Sequence, residues 1–442
     1  MEPLHRRWTL LLGIGLGGWF AQSACAGELA YGLGYVGEYS DNIQRAPANP
    51  RDEWINSVVA GAAYRENGPA LDAHLLAQAE YRDYKNDIYN DGPLYYADAS
   101  LLWRIAPQRL NWIFLDRYDQ ITRNISLPDT PDNRVNTNVL STGPDLFIRL
   151  GSVNTLVLGL RYGNASYSEG DLDNSRYGAS ARWLYVANTE MTYSINYEVE
   201  QIKYENEILN DNLMRNDAFI RIDMRQARAR FTLDLGATQI ERDQAGEASG
   251  YLARLAWMQQ LTSGSSAGML LGSEYLDAGA ALLATATSPT PAPGAPPSLP
   301  AMGNVTNDFF YTKRAEIYYI NSGSSLGLNA RAYYREIDYE IVPQDRHEAG
   351  GRLEVIYSPS GLLATTVYGS HLDIQYQSIS RDDRESETGI RFLYRVNRNL
   401  SAILDGRKTW RYSTDALQEY IDRRVLFSLL YSSSPLFTPS RR

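Results

Sequence analysis

The sequence is short of cysteine, histidine and long apolar runs, and each shortage removes a class of protein. One cysteine, Cys25, stands in 442 residues, so no disulfide framework can brace the fold. Four histidines, with no His-Glu-x-x-His and no cysteine cluster, leave no metal-binding motif. No Gly-x-Ser-x-Gly nucleophile turn is present either. After Phe20 no apolar stretch approaches the roughly 20 residues that a helical span requires. The formal net charge is −10, and acidity of that size argues against nucleic acid as a partner, because a phosphate backbone wants clustered Lys and Arg. No cofactor and no metal are expected.

What is present begins with export. Arg6 and Arg7 precede an apolar run from Trp8 to Phe20, and Ala24-Cys25-Ala26 supplies the small-x-small pattern cut by a signal peptidase. Residues 1–26 are expected to be a cleaved signal peptide, since a run this short and rich in glycine makes a poor span. The remainder divides into a body over 27–431 and a C-terminal tail over 432–442. Aromatic usage is skewed: 32 Tyr and 8 Trp stand against 10 Phe. Rings with one polar edge favour a place between lipid and water.

The body is built of short alternating segments. In "MTYSINYEVE", residues 191–200, Met191, Tyr193, Ile195, Tyr197 and Val199 alternate with polar neighbours, the pattern of a strand with one oily and one wet face. Twenty such segments can be marked, near 28–38, 53–64, 70–82, 94–105, 109–119, 134–149, 153–165, 175–187, 189–202, 214–226, 229–241, 249–261, 266–277, 308–321, 324–339, 346–358, 361–376, 386–396, 399–412 and 420–431. Pro144 sits awkwardly in the sixth, because proline cannot donate to a ladder, and 18 strands are also compatible with the pattern. Every other junction is tight ("ENGP", "APQR", "NSG", "NRN"), whereas those between are mostly longer and polar, including the Pro/Ala-rich run 278–304 and the acidic stretch 380–387. Short turns at one end and loops at the other are the signature of an outer-membrane barrel. The predicted fold is therefore all-β: a transmembrane antiparallel up-and-down β-barrel of about 18–20 strands, in the outer membrane of a Gram-negative cell.

Alternation also sorts the faces. Leu158, Leu160, Tyr177, Trp183, Ile220, Leu235, Ile390 and Phe392 are expected toward lipid. The lumen is then expected to receive Arg161, Arg182, Glu198, Glu200, Arg221, Asp223, Arg225, Asp234, Arg391, Arg395, Asp405, Arg407 and Arg411, because a charge on the lipid face costs about 2–4 kcal/mol at the midplane. His371 and Asp373 share a face of one segment and read as hydrated residues lining the same lumen, so no enzyme activity is expected.

The first loop carries a resemblance. Tyr39, Ser40, Asp41, Asn42 and Ile43 form a Tyr-x-Asp-Asn-hydrophobic motif, followed by Asn49-Pro50 and Asp52 before the second strand. The stretch resembles the opening of the beta-barrel porin 2 type of outer-membrane barrels, although an Asx-turn at a strand end is a physically sufficient reason for Asp and Asn there. The resemblance implies an association with exopolysaccharide production or export, with polysaccharide and periplasmic export components as partners. A conduit for such a polymer is the leading expectation. A general small-solute porin, and a surface structural or adhesive barrel with a plugged lumen, are the alternatives.

Overall fold

The computed structural model describes residues 27–169, 172–207, 210–244, 246–286 and 308–435. The expected signal peptide and residues 436–442 of the tail lie outside the described residues. Twenty strands make one sheet. They are β1 (Glu28–Ser40), β2 (Glu53–Asn67), β3 (Leu71–Tyr84), β4 (Gly92–Ala106), β5 (Leu110–Thr122), β6 (Arg134–Arg149), β7 (Asn154–Tyr167), β8 (Asn174–Val186), β9 (Met191–Tyr204) and β10 (Leu213–Arg225). The second half comprises β11 (Ala229–Arg242), β12 (Gly246–Gln260), β13 (Ser265–Leu276), β14 (Phe310–Ser322), β15 (Leu326–Tyr339), β16 (Arg346–Tyr357), β17 (Leu363–Tyr376), β18 (Arg381–Arg395), β19 (Leu400–Ser413) and β20 (Tyr420–Ser432).

Each strand pairs antiparallel with its neighbours in sequence, and β1 closes on β20 from Gly32 opposite Ser432 to Ser40 opposite Arg424. Closure leaves no open edge, which is what a sheet needs if its backbone is to cross hydrocarbon. A circular barrel of this many strands is about 40 Å across its backbone, from a spacing of about 4.8 Å and a tilt of about 40°. The chain is thus a closed, antiparallel, outer-membrane-type β-barrel with short turns at one end and longer loops at the other.

Its outer surface is an apolar band. Leu160, Ile195, Ile220, Leu235 and Ile390 stand exposed on it. Ring pairs edge the band at both ends: Tyr39 with Trp54 (5.2 Å) and Tyr162 with Tyr177 (5.6 Å) toward the loops, Tyr31 with Tyr431 and Tyr185 with Tyr193 (6.4 Å each) toward the turns. These are the two girdles at which amphipathic rings meet headgroups. In "MTYSINYEVE" Tyr193, Ile195 and Tyr197 face out while Ser194 and Asn196 are buried inside, as the alternation requires.

Pro144 is accommodated by a local opening. The β6–β7 register runs to Thr142 opposite Tyr162 and resumes at Asp145 opposite Gly159. At the gap Gly143 lies so close to the Leu160 carbonyl that a Cβ would overlap it, so only glycine fits there.

Two loop expectations are corrected. Residues 380–387 are not a solvated loop: β18 begins at Arg381, and its inward members Arg381, Asp383 and Glu385 pair with one another and with Arg411. Charges can occupy a strand when the neighbouring strand supplies their partners, as Arg411 of β19 does opposite Glu385. The run after Leu276 is not simply polar either, because Ala278–Ala286 form a helix, α1. Alanine and leucine are strong helix formers, and Asp277 caps the first turn by accepting from the Gly279 and Ala280 amides (3.1 and 3.3 Å).

Candidate functional site

The candidate site is the barrel interior, and two loops decide its shape. The loop between β13 and β14 turns inward. Leu282 of α1 packs with Val139 of β6 and Ala165 of β7, and Ile121 and Tyr167 flank them. Asp277 meets Arg176 of β8 in a buried pair, with Arg176 Nη1 3.2 Å from Asp277 Oδ1. Burial alone would raise the Asp277 pKa, but the Arg176 charge outweighs it and holds the carboxyl below its ordinary value.

The loop between β5 and β6 crosses the mouth from the other side. Tyr376 of β17 donates to the Ile125 carbonyl (3.3 Å) and Arg381 of β18 to that of Ser126 (2.6 Å). The loop is stiffened from within: Asn133 bonds the backbone of Asn124 and Pro128, and Arg134 grips Asp129 through two contacts of 2.8 Å. Here too burial works against the Asp129 charge, and the Arg134 bonds and the Arg45 field override it and lower the pKa. Tyr89, on the neighbouring loop, has its hydroxyl pushed up to about 12 by burial and by Asp132. Ordered chain from both loops therefore reaches into the loop end of the barrel.

Below these loops the inner wall carries arginines backed by carboxylates. Arg161 of β7 and Arg182 of β8 share Asp145 at 2.7 and 3.2 Å. Arg221 of β10 and Arg254 of β12 share Asp234, Arg254 and Arg314 share Glu274, and Arg391 holds Asp405 at 2.7 Å. The guanidinium side chains keep 28–39% of their surface exposed, whereas the four carboxylates keep 2–6%. At these four carboxylates the negative charge is folded into the wall, whereas the inward Glu198, Asp223, Glu354 and Glu387 remain half-buried. The six arginines of this belt exceed the four carboxylates they hold by two charges, and Glu198 and Asp223 lie near Arg221 on the same inner face. Tyr368 completes the belt: its hydroxyl donates to Asp405 (3.0 Å), and Arg352 and Arg391 lie over its ring at 5.1 and 5.4 Å.

The remaining residues expected in the lumen fall into different settings. Glu198 and Glu200 face inward on β9, and Glu200 lies 3.8 Å from Arg176 near the loop end. Asp223 accepts from Thr232, and Arg407 reaches Glu38 at 3.6 Å. Arg225 and Arg395 stand exposed at the turn end, where Arg395 donates to the Gly361 carbonyl. Arg411 is buried against Glu385 (2.7 Å) and the Tyr420 ring, as a structural cross-link.

His371 and Asp373 are a correction. The inward residues of β17 are Tyr368, Ile374 and Tyr376, so His371 and Asp373 point to the outside of the barrel, not into the lumen. The even spacing of a strand places two residues on one face without saying which face.

The five-residue motif of the first loop lies at the barrel seam. Asp41 accepts from the Arg423 amide and guanidinium (2.7 and 2.8 Å), and buried Asn42 donates to the Ala46 and Ile421 carbonyls (2.8 and 3.0 Å). Ile43 packs with Ile55, Tyr84 and Tyr89. Tyr39 covers Trp54 on the outside. The motif joins the first loop to the last strand.

Arg254, Arg314, Asp145 and Glu274 were not among the residues picked from the sequence. Each has the inward parity of its strand, but the pairing that unites them depends on cross-strand register, which no single segment displays. Among the described residues no group of three or more His, Cys, Asp or Glu is placed to hold a metal ion.

No family model matches the chain, and no curated protein matches it in sequence. In structure it is similar to a mutant of the ferric enterobactin receptor (PfeA) from Pseudomonas aeruginosa, at 10% identity over 92% of this chain and 80% of that one, with a TM-score of 0.47. The FrpB iron transporter from Neisseria meningitidis aligns at 12% identity over 91% and 81%, TM-score 0.44. Pseudomonas aeruginosa OccK2 (OpdF) aligns at 9% identity over 92% and 98%, TM-score 0.40.

Proposed function

We propose that the barrel is a loop-gated conduit for hydrated, carboxylate-bearing solutes, and that an exported exopolysaccharide is the substrate class. The observation that carries this reading is the belt formed by Arg161, Arg182, Arg221, Arg254, Arg314 and Arg391, each partly exposed in front of a buried carboxylate. A guanidinium already held by the wall keeps outward N–H groups in a fixed orientation, and its planar fork suits a passing carboxylate. Sharing each ligand among several such groups keeps any one contact weak, which conduction requires. The exopolysaccharide assignment rests on the Tyr39–Ile43 resemblance alone. Periplasmic export components would be the partners.

Reversal potentials in planar bilayers under a tenfold KCl gradient test the conduit. Anion preference is expected, and Arg161→Gln, Arg221→Gln and Arg391→Gln together should move it toward cations. An unchanged or cation-selective potential in the unsubstituted protein would remove the belt from the mechanism. For the substrate class, a deletion strain is expected to lose surface polysaccharide and accumulate precursor in the periplasm. Normal extracellular polysaccharide would leave a general small-solute porin. The infolded loops favour one further reading, a surface barrel whose lumen they plug, which predicts no conductance from the unsubstituted protein at any applied potential.

A further inference from the structure

The outer face of β17 and β18 holds an arrangement that the conduit does not use. Ser386 Oγ lies 2.7 Å from His371 Nδ1, and His371 Nε2 lies 3.1 Å from Asp373 Oδ2. The strands explain the geometry: Ser386 is directly opposite His371 across the β17–β18 ladder, and Asp373 is two residues along the same face. With Asp373 accepting from Nε2, the imidazole proton is held on that nitrogen, and Nδ1 is left to accept from the serine hydroxyl. Nucleophile, base and orienting carboxylate thus follow in line. A groove of about 470 Å³ opens beside His371 and Asp373, lined in part by Ala349 and Arg384. Its neighbours on the same face are small, since His371 is opposite Gly351 on β16 and Gly369 lies two residues along β17.

The depth in the membrane bears on the substrate. Ser386 is paired on its other side with Trp410, and Ala349 with Tyr334, so the serine shares the level of the aromatic girdle at the loop end. Four residues further along the strands Val367 faces Ile390, both exposed on the apolar band. Lipid acyl esters lie between these two levels. Arg384, whose Nε is 3.3 Å from Asp373 Oδ1, brings a cation to the same groove, and the Lys408 ammonium lies over the Trp410 ring at 5.0 Å.

We propose that Ser386, His371 and Asp373 form an acyl-ester hydrolase site for outer-leaflet lipids with anionic headgroups. Ser386 Oγ attacks the ester carbonyl while its proton passes to His371 Nδ1. The carbon–oxygen bond to the leaving alcohol then breaks, and that oxygen takes the proton from His371. Water, deprotonated by the same nitrogen, attacks the acyl-serine, releasing the fatty acid and restoring the hydroxyl. Asp373 stabilises the imidazolium and fixes the ring. Arg384 faces the headgroup phosphate.

The test uses the full-length barrel in mixed micelles of detergent and phosphatidylglycerol with a labelled acyl chain, together with a fluorophosphonate reporter. Release of fatty acid and covalent labelling of a single serine are expected. Ser386→Ala should abolish labelling, and Ser386→Ala and His371→Asn should each reduce release to the lipid-only rate. Asp373→Asn should lower kcat more than tenfold with KM little changed. Ser370→Ala, on the inward face of β17, should keep both activities, and heat-modifiable migration should show all four variants folded. A folded wild-type barrel that takes no label and releases no more fatty acid than Ser386→Ala overturns the proposal and leaves three polar neighbours at a membrane interface.

Discussion

Replacing Asp277 with alanine removes two supports of the infolded helix at once. The carboxylate and Arg176 keep only 6% and 4% of their side-chain surface exposed. Stranding a buried charge by deleting its partner costs about 3–5 kcal/mol. Arg176 retains Glu200 at 3.8 Å and Asn174 as an acceptor at 3.1 Å, which places the loss at the lower end, about 3 kcal/mol. Losing the cap on the Gly279 and Ala280 amides adds about 1 kcal/mol. The sum of about 4 kcal/mol corresponds to roughly a thousandfold shift toward the released loop. Asp277→Asn keeps a capping oxygen while losing the charge, so its effect should fall near 3 kcal/mol, about a hundredfold. A reporter follows from Ala281, which is buried against Leu276, Phe310 and Ile337. Maleimide modification of Ala281→Cys in the reconstituted barrel should be slow, faster with Asp277→Asn, and fastest with Asp277→Ala, since labelling through a rapidly sampled open state follows its population. Conductance should rise in the same order. Equal labelling rates in all three would refute the claim that the Arg176 pair holds the loop.

Three further outcomes are expected. Ile195→Arg, which puts a charge in the outer band, should reduce heat-modifiable barrel by an amount reflecting about 2–4 kcal/mol, whereas Glu198→Gln on the inner face should leave migration intact. The loops should stay seated from pH 8 down to pH 5 in conductance measurements. The Asp129 and Asp277 pKa values are depressed in the fold, so their contribution is complete above the unfolded carboxylate value and is lost only as pH falls through the lower folded one; opening should therefore appear below about pH 4. An epitope placed after Leu417, which is 74% exposed in the β19–β20 loop, should be reached by antibody on intact cells, and one after Asn67 in the β2–β3 turn should not.

The strands were legible because a barrel in a membrane writes itself residue by residue. Each of the twenty segments marked from alternation corresponds to one strand, and 134–149 agrees at both ends with Arg134–Arg149. The failure at 380–387 has a definite cause. A run such as Arg381-Asp382-Asp383-Arg384-Glu385 is read as a solvated loop because isolated strands do not tolerate it. In the barrel three of those five charges, Arg381, Asp383 and Glu385, face inward beside Arg411 of β19 and Tyr420 of β20, and the other two face outward. The infolded loops were illegible for a similar reason. Arg176 and Asp277 are 101 residues apart, and nothing local in "DAGAALLATA" distinguishes a helix drawn into the lumen from one lying over it.

The inner face also shows that parity and hydration are different properties. Asn196 has inward parity, yet it is buried and bonds Ser194 and the Phe219 carbonyl; an arginine placed there would meet packed protein rather than water. Arg411 and Arg221 likewise share the inward face, but the first is sealed against Glu385 while the second keeps 31% of its side chain open in front of Asp234. The difference lies in height. Arg176, Arg346, Arg381 and Arg411, near the loop end, are covered by infolded chain or by one another, whereas the belt arginines nearer the turns look into the lumen. A charge count over the whole inner face therefore averages two populations of opposite character. Only the lower one can meet a solute, and there the carboxylates of the belt, Asp145, Asp234, Glu274 and Asp405, stand behind its arginines. An acidic chain can in this way present a cationic passage: its excess negative charge is spent on the wall and the outer rim, and the field that a solute meets is set by the few guanidinium groups in front.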